Sequence, residues 1–261
     1  MTRLTNRTAL VTGGTSGIGL EVTRRLAGAG MRVHLCGRRS DTVEDTVEQL
    51  RKEGFDVAGS VCDVRRQADL DALVRDAVER FGPIGVLVNN AGRGGGGPAT
   101  EITHELWDDV LATNLTAAFR LCQAVLTAGG MRAAGQGRIV NIASTGGKQG
   151  VAFAVPYSAS KHGLVGLSKA LGLELATTGI TVNAVCPGFV ETPMAEAVRQ
   201  GFAGVWGITE EEAYQRITAK VPMGRYVEPR EVAAMVEYLV GDDAAAVTAQ
   251  ALNVCGGLGN Y

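Results

Sequence analysis

The 261-residue chain has no C-x-x-C pair, three histidines, no apolar run of membrane-spanning length and almost no net charge. Each lack removes a class of protein. Cys36, Cys62, Cys122, Cys186 and Cys255 lie far apart, mostly inside apolar runs. They are expected to be buried reduced thiols, and with so few histidines the sequence predicts no metal site. Lys plus Arg number 25 against 27 Asp plus Glu, a formal charge of -2. That balance gives no electrostatic reason to expect nucleic acid or an anionic membrane as partner. Apolar runs stop short of the roughly 18 residues of a membrane helix. The opening MTRLTNRTALVTGG lacks the long apolar centre of a signal peptide, so a cytoplasmic protein is expected.

What is abundant is glycine, 36 residues, gathered in a few turns without a fixed period. Such glycines allow close backbone approaches. Short apolar, β-branched runs alternate with amphipathic segments: TALVTG, MRVHLCG, VAGSVCDV, IGVLVNNAG, GRIVNIAS, ITVNAVCP and ALNVCGG. Near-continuous apolar strands imply burial on both faces. The pattern predicts a single α/β domain over residues 1–261, with a doubly wound, seven-stranded parallel sheet between two helical layers. Its ligand belongs beyond the carboxyl ends of the strands. ETPMAEAVRQGFAGVWGITEEEAYQRITAKVP is too long for a simple connection, and Phe202 and Trp206 amid its glycines predict a helical lid at about 192–220. Plain surface decoration is the alternative.

TGGTSGIG follows the first strand and opens a helix. Gly13, Gly17 and Gly19, with Thr15, Ser16 and Ile18 between them, would bring backbone N–H groups and a helix N-terminus up to a pyrophosphate. An ordinary strand-to-helix corner uses glycine too. After the second strand, Arg38 and Arg39 stand where a carboxylate would select NAD, so NADP(H) is expected, with Thr15 as an extra donor. Asp63 ends the third strand as a candidate acceptor for the adenine amino group, and Val64 as a wall for the ring.

PYSASKHG raises a sharper question. At 100° per residue Tyr157, Lys161, Leu164, Ser168, Leu171 and Leu175 share one stripe of a helix, so a phenol and an ammonium face inward together. A core tyrosine beside a snorkelling lysine is the bland alternative. Ser144, at the end of the fifth strand, faces the same cleft. Asn114 lies among Trp107, Leu111, Leu121 and Val125, and reads equally as a satisfied core amide.

TGGTSGIG, NNAG, Asn114, Ser144, YSASK and PGFVET stand in the order and spacing of the short-chain dehydrogenase/reductase family, which the chain resembles over nearly its whole length. The resemblance implies a Rossmann sheet and a catalytic tetrad on Asn114, Ser144, Tyr157 and Lys161. Tyr157 is then the general acid, its pKa lowered toward neutrality by Lys161 and oxidised nicotinamide. Ser144 orients the carbonyl, Lys161 binds the nicotinamide ribose, and Asn114 holds a relay water. NNAG supplies Asn90, Ala91 and Gly92 to the cofactor wall. PGFVET places Pro187, Gly188, Val190 and Thr192 around the nicotinamide amide.

NIASTGGKQGV, PYSASKHG, TGITVNAVCPGFVETPMA, AYQRITAKVP and AQALNVCGGLGNY are similar to the ketoreductases of bacterial aromatic (type II) polyketide synthases. That resemblance implies NADPH, a homotetramer, and reduction of one carbonyl, typically C9, of a poly-β-ketone on acyl carrier protein. Two readings compete: a 3-oxoacyl-carrier-protein reductase, and an NADP-binding regulator without turnover. Gly94, Gly95, Gly96 and Gly97 are expected to strip side chains from one cleft wall. Arg38, Arg65, Arg66 and Arg93 are expected to form a basic rim for an acidic carrier.

Overall fold

The computed structural model describes residues 7–261; Met1 to Asn6, part of the stretch read for a signal peptide, lie outside the described residues. Seven strands form where the apolar runs predict them: β1 Thr8–Thr12, β2 Arg32–Gly37, β3 Val57–Val61, β4 Ile84–Asn89, β5 Gly137–Ile142, β6 Ile180–Pro187 and β7 Ala251–Val254. They pair in parallel in the order β3-β2-β1-β4-β5-β6-β7. The chain reverses its direction of growth between β1 and β4, which opens a crevice at their carboxyl ends.

Successive strand side chains point to opposite faces, so each strand feeds two layers. Val86 and Val88 of β4 join Val11, Leu35 and Val140 in one core, while Leu87 joins Leu10, Ile139 and Val182 in the other. Helices α1 (Gly17–Gly28), α2 (Ser40–Lys52) and α9 (Pro229–Val240) cover the first face. Helices α3 (Gln67–Phe81), α5 (Ala117–Leu126) and α6 (Val155–Glu174) cover the second. All five cysteines are free and buried. Among the described residues, no helix is long and apolar enough to cross a membrane, and no His/Cys/Asp/Glu group is arranged to hold a metal.

A polar thread fixes the register of the site-bearing elements. Asn89 Nδ2 donates to Asn141 Oδ1 at 2.8 Å, and Asn141 Nδ2 donates to Ser168 Oγ at 2.8 Å. All three side chains are buried, so β4, β5 and α6 are held by bonds that cost dearly if left unmade. Helix α4 (His104–Leu111) runs into α5 through a π-helical turn, Ala112–Thr116, which carries Asn114.

The expected lid is a helical hairpin, α7 (Pro193–Trp206) and α8 (Glu210–Thr218). Phe202 stacks on Trp206 with centroids 4.7 Å apart. Arg199 ties the hairpin to its root: it donates to Glu191 and Glu210 and lies over the rings of Tyr214 and Tyr226.

Candidate active site

The glycine turn has the shape its sequence predicts. Gly13 and Gly17 sit at φ 64° and 52°, left-handed values that favour glycine. A Cβ on Gly19 would lie 2.1 Å from the Gly13 carbonyl oxygen. Ser16 caps α1 with backbone geometry only, so no side chain occupies the first amides of that helix. Asn90 braces the turn: its Nδ2 donates to the Thr12 and Gly13 carbonyls at 2.9 and 3.1 Å. Thr12 Oγ1 accepts from the main-chain N–H groups of Asn90 and Ala91, each at 3.0 Å. Thr12 opens the TGGTSGIG motif, but motif reading assigns it no role, because the main-chain amides it holds come from the end of β4, far along the chain.

At the second strand end the two arginines divide. Arg39 is spent on its own helix, donating to Thr42 Oγ1 at 2.9 and 2.6 Å. Arg38 is exposed, and among the described residues it has no hydrogen-bond or ion-pair partner, which leaves it for a 2′-phosphate. Asp63 accepts from Arg65 Nε at 2.9 Å, and that pairing holds its carboxyl down at about 2. Val64 is buried in the core beneath α3 and α5.

Pro187, Gly188, Val190 and Thr192 come together at the root of the lid. Pro187 closes β6, and Gly188 packs so tightly that a Cβ would lie 3.0 Å from Cys255 Cα. Val190 forms a bridge with Val227, and Thr192 caps α7 by accepting from Ala195 N. A Cβ on Gly17 would meet Thr192 Cγ2 at 3.1 Å, so the phosphate turn and the lid root touch.

Tyr157 and Lys161 stand one turn apart on α6, whose start is set by Pro156. Lys161 is 5% exposed; its Nζ donates to the Ile142 carbonyl at 2.8 Å and lies 5.8 Å from the centroid of the Tyr157 ring. Ser144 Oγ accepts from Gly146 N at 3.0 Å, and a Cβ on Gly146 would lie 3.4 Å from both Ser144 Oγ and the Tyr157 ring. Burial pushes the phenol above its ordinary value, and the Ser144 hydroxyl works against it. Burial also lowers Lys161 to about 8. The downward pull of Lys161 on Tyr157 is therefore not a property of the protein alone. The ammonium is engaged by Ile142 and faces the ring, and desolvation wins.

Asn114 is 1% exposed and joins the cluster in an unexpected way. Its Nδ2 donates to Arg93 O and Ser160 Oγ, both at 3.0 Å, and its Oδ1 accepts from Arg93 N at 2.8 Å. Both amide hydrogens are thus committed to tying the segment after β4 to α6. Ser160, one residue before Lys161, is the partner that sequence reading passed over. A Cβ on Gly92 would intrude 3.3 Å from Asn114 Oδ1 and 3.6 Å from Lys161 Nζ. The missing side chain lets the main chain at Gly92 pass close to Asn114 and Lys161. The glycine turn, the uncapped helix and the exposed Arg38 fit a phosphorylated dinucleotide.

Two expectations are narrowed. Of the glycines after NNAG, Gly94 and Gly97 face open space, while Gly95 and Gly96 form a packed seam. A Cβ on Gly95 would lie 2.5 Å from Val110 Cγ2, and one on Gly96 would lie 2.0 Å from the Phe153 carbonyl oxygen. Gly97 N donates to that same oxygen at 2.8 Å. The basic rim is also largely neutralised. Arg65 pairs with Asp63 and Asp109, Arg66 with Asp69, and Arg93 with Asp109. Sequence charge alone could not reveal these partners, since Asp109 arrives from a distant helix.

The short chain dehydrogenase family model matches residues 7–202. A protein of Streptomyces violaceoruber, named as ketoacyl reductase 1 of the granaticin polyketide synthase, is 68% identical over 97% of this chain and 93% of its own. A protein of Streptomyces coelicolor named as a ketoacyl reductase is 64% identical over 97% of each chain. Among solved structures, a tryptophan variant of actinorhodin polyketide ketoreductase with NADPH superposes with a TM-score of 0.97 at 62% identity, covering 100% of both chains. With the glycine turn, the Tyr157–Lys161 pair and the sheet order already in place, this chain belongs to the short-chain dehydrogenase family.

Proposed function

We propose that the chain is a cytoplasmic NADPH-dependent ketoreductase that reduces one carbonyl, C9, of a poly-β-ketone carried on acyl carrier protein. The observation that carries the chemistry is that Ser144 and the Tyr157 ring flank the same turn at Gly146 with Lys161 buried one helical turn away, 5.8 Å from that ring. The polyketide substrate rests on the names of the relatives, each aligned along nearly the full chain.

NADPH, when bound, supplies the hydride that the carbonyl carbon receives. Gly13 to Gly19 would hold its pyrophosphate, Arg38 its 2′-phosphate and Lys161 its nicotinamide ribose, with Ala91, Gly92 and the Pro187–Thr192 segment along the wall. The protein's own part is to manage the oxygen. Ser144 donates to the carbonyl oxygen and holds it within reach of Tyr157, which passes its phenolic proton to that oxygen as charge develops there. The product is a secondary alcohol. Lys161, lowered to about 8, is able to return a proton to Tyr157. Asn114 acts by positioning, locking the Arg93 main chain to Ser160 beside the pair.

Carrier docking would draw on a rim whose Arg65, Arg66 and Arg93 already have acidic neighbours, with Arg38 committed to the 2′-phosphate. The same reading makes the protein a homotetramer, which light scattering checks. The deciding experiment compares NADPH with NADH against a rigid bicyclic ketone and a short acetoacetyl thioester. NADPH preference with faster turnover of the bicyclic ketone supports the proposal. Preference for the thioester assigns the chain to linear 3-oxoacyl reduction, and no turnover of either leaves only cofactor binding.

A further inference from the structure

The turn that carries Ser144 is gripped from two sides. On one side lies α6: a Cβ on Gly147 would fall 2.6 Å from the Lys161 carbonyl oxygen, and one on Gly146 would fall 3.4 Å from the Tyr157 ring. The other side belongs to Lys148, whose Nζ reaches away from the cleft. It donates to the Ala251 carbonyl at 3.2 Å, to Asn253 Oδ1 at 3.0 Å and to the main-chain oxygen of Tyr261 at 2.7 Å. Three acceptors satisfy the three hydrogens of an ammonium. The Tyr261 ring lies beneath the same charge, 5.2 Å from Nζ, and its hydroxyl donates to the Thr145 carbonyl at 3.4 Å, the weakest bond of the set. Thr145 O also accepts from the N–H groups of Lys148 and Gln149, so these contacts close the turn that follows Ser144.

We infer that Lys148 is a positioning residue for the reaction: clamped between β7 and Tyr261, it fixes the turn that aims the Ser144 hydroxyl at the substrate oxygen. The physical ground is rigidity. Ser144 belongs to no helix or strand, and among the described residues its hydroxyl is held only by a neighbouring amide, Gly146 N, at 3.0 Å. A hydroxyl of that kind keeps its aim when the turn beneath it is anchored to a sheet. Charge-assisted bonds from one ammonium to three fixed oxygens provide that anchor. The three hydrogen bonds of the Lys148 ammonium all go to β7 and Tyr261, so its effect on the reaction would pass through the Ser144 turn.

The inference rests on the reading of Ser144 as the hydroxyl that binds the carbonyl, and a double-mutant cycle separates the two. Turnover of a bicyclic ketone at saturating NADPH is measured for the parent, Lys148→Ala, Ser144→Ala and the double variant, with thermal unfolding recorded for each. Lys148→Ala alone is expected to lower kcat about 10-fold, as a small misplacement near the reacting atoms does. In the Ser144→Ala background the same change is expected to alter kcat less than about twofold, because the residue it acts through is gone. Lys148→Arg, which keeps charge and donors, is expected to recover most of the loss. Tyr261→Phe, which leaves the ring beneath Lys148, gives a milder probe of the same clamp and is expected to reduce kcat less than Lys148→Ala. Equal losses in both backgrounds, or full turnover in Lys148→Ala, would overturn the inference while leaving the active-site reading intact. Full turnover in Ser144→Ala would overturn both.

Discussion

Tyr157 shows how much one neighbour decides about an acid. Burial drives its pKa up, and the Ser144 hydroxyl pulls the other way. Removing that hydroxyl therefore leaves the phenol still harder to ionise, with Lys161 and the Cys186 thiol as the remaining titratable groups around it. Reduction needs the protonated phenol and fails above its pKa. In Ser144→Ala the basic limb of the kcat/KM profile should move to higher pH, on top of a slower rate. An unmoved limb would show that Ser144 does not bond the phenol. Residue identities at the site were legible in the sequence because each motif has its own spacing. Partners were not. Ser160 under Asn114, Ile142 under Lys161 and Asp109 against Arg93 are contacts between segments far apart in the chain or set by a turn, and no local pattern encodes them.

At the scale of elements, the seam between Gly94–Gly97 and the loop before α6 separates two glycines of the same run. Gly96 faces the Phe153 carbonyl oxygen at a distance no Cβ can tolerate, whereas a Cβ on Gly94 meets nothing within 4 Å. Phe153 itself is 65% exposed at φ 60°, so the loop has already adopted a strained turn. Gly96→Ala should cost about 1–3 kcal/mol of stability through overpacking, and should reduce turnover as the start of α6 shifts. Gly94→Ala should stay within about 0.5 kcal/mol of the parent. Denaturant unfolding of the pair checks both, and equal stabilities would remove the seam. Strands, helices and lid were readable from alternating apolar runs and from one connection too long to be simple. The confinement of Gly95 and Gly96 was not legible, because composition reports freedom and only packing reports confinement. The π-helical turn at Asn114 likewise has no periodic signature, since five residues are too few to break the pattern around them.

For the whole molecule, charge pairing sets both the surface and its acid limit. Arg65 holds Asp63, and Arg225 holds Glu231, each at about 2. An unfolded chain titrates such carboxyls near 4. Their stabilisation is complete above that value and is lost as pH falls toward 2. The unfolding temperature should drop over this window, and drop less in an Asp63→Asn, Glu231→Gln variant; parallel curves would assign the acid limit elsewhere. The doubly wound sheet was the most legible feature of all, because parallel strands buried on both faces have few other arrangements. Its strand order opens the crevice where the glycine turn, Ser144 and the Tyr157–Lys161 pair converge. Tyr157→Phe tests most directly whether that convergence is a proton-transfer site. With a bicyclic ketone as substrate, kcat should fall about 100-fold to 10,000-fold, while NADPH titrated by fluorescence binds as it does to the parent. Unchanged turnover in that variant would contradict the account.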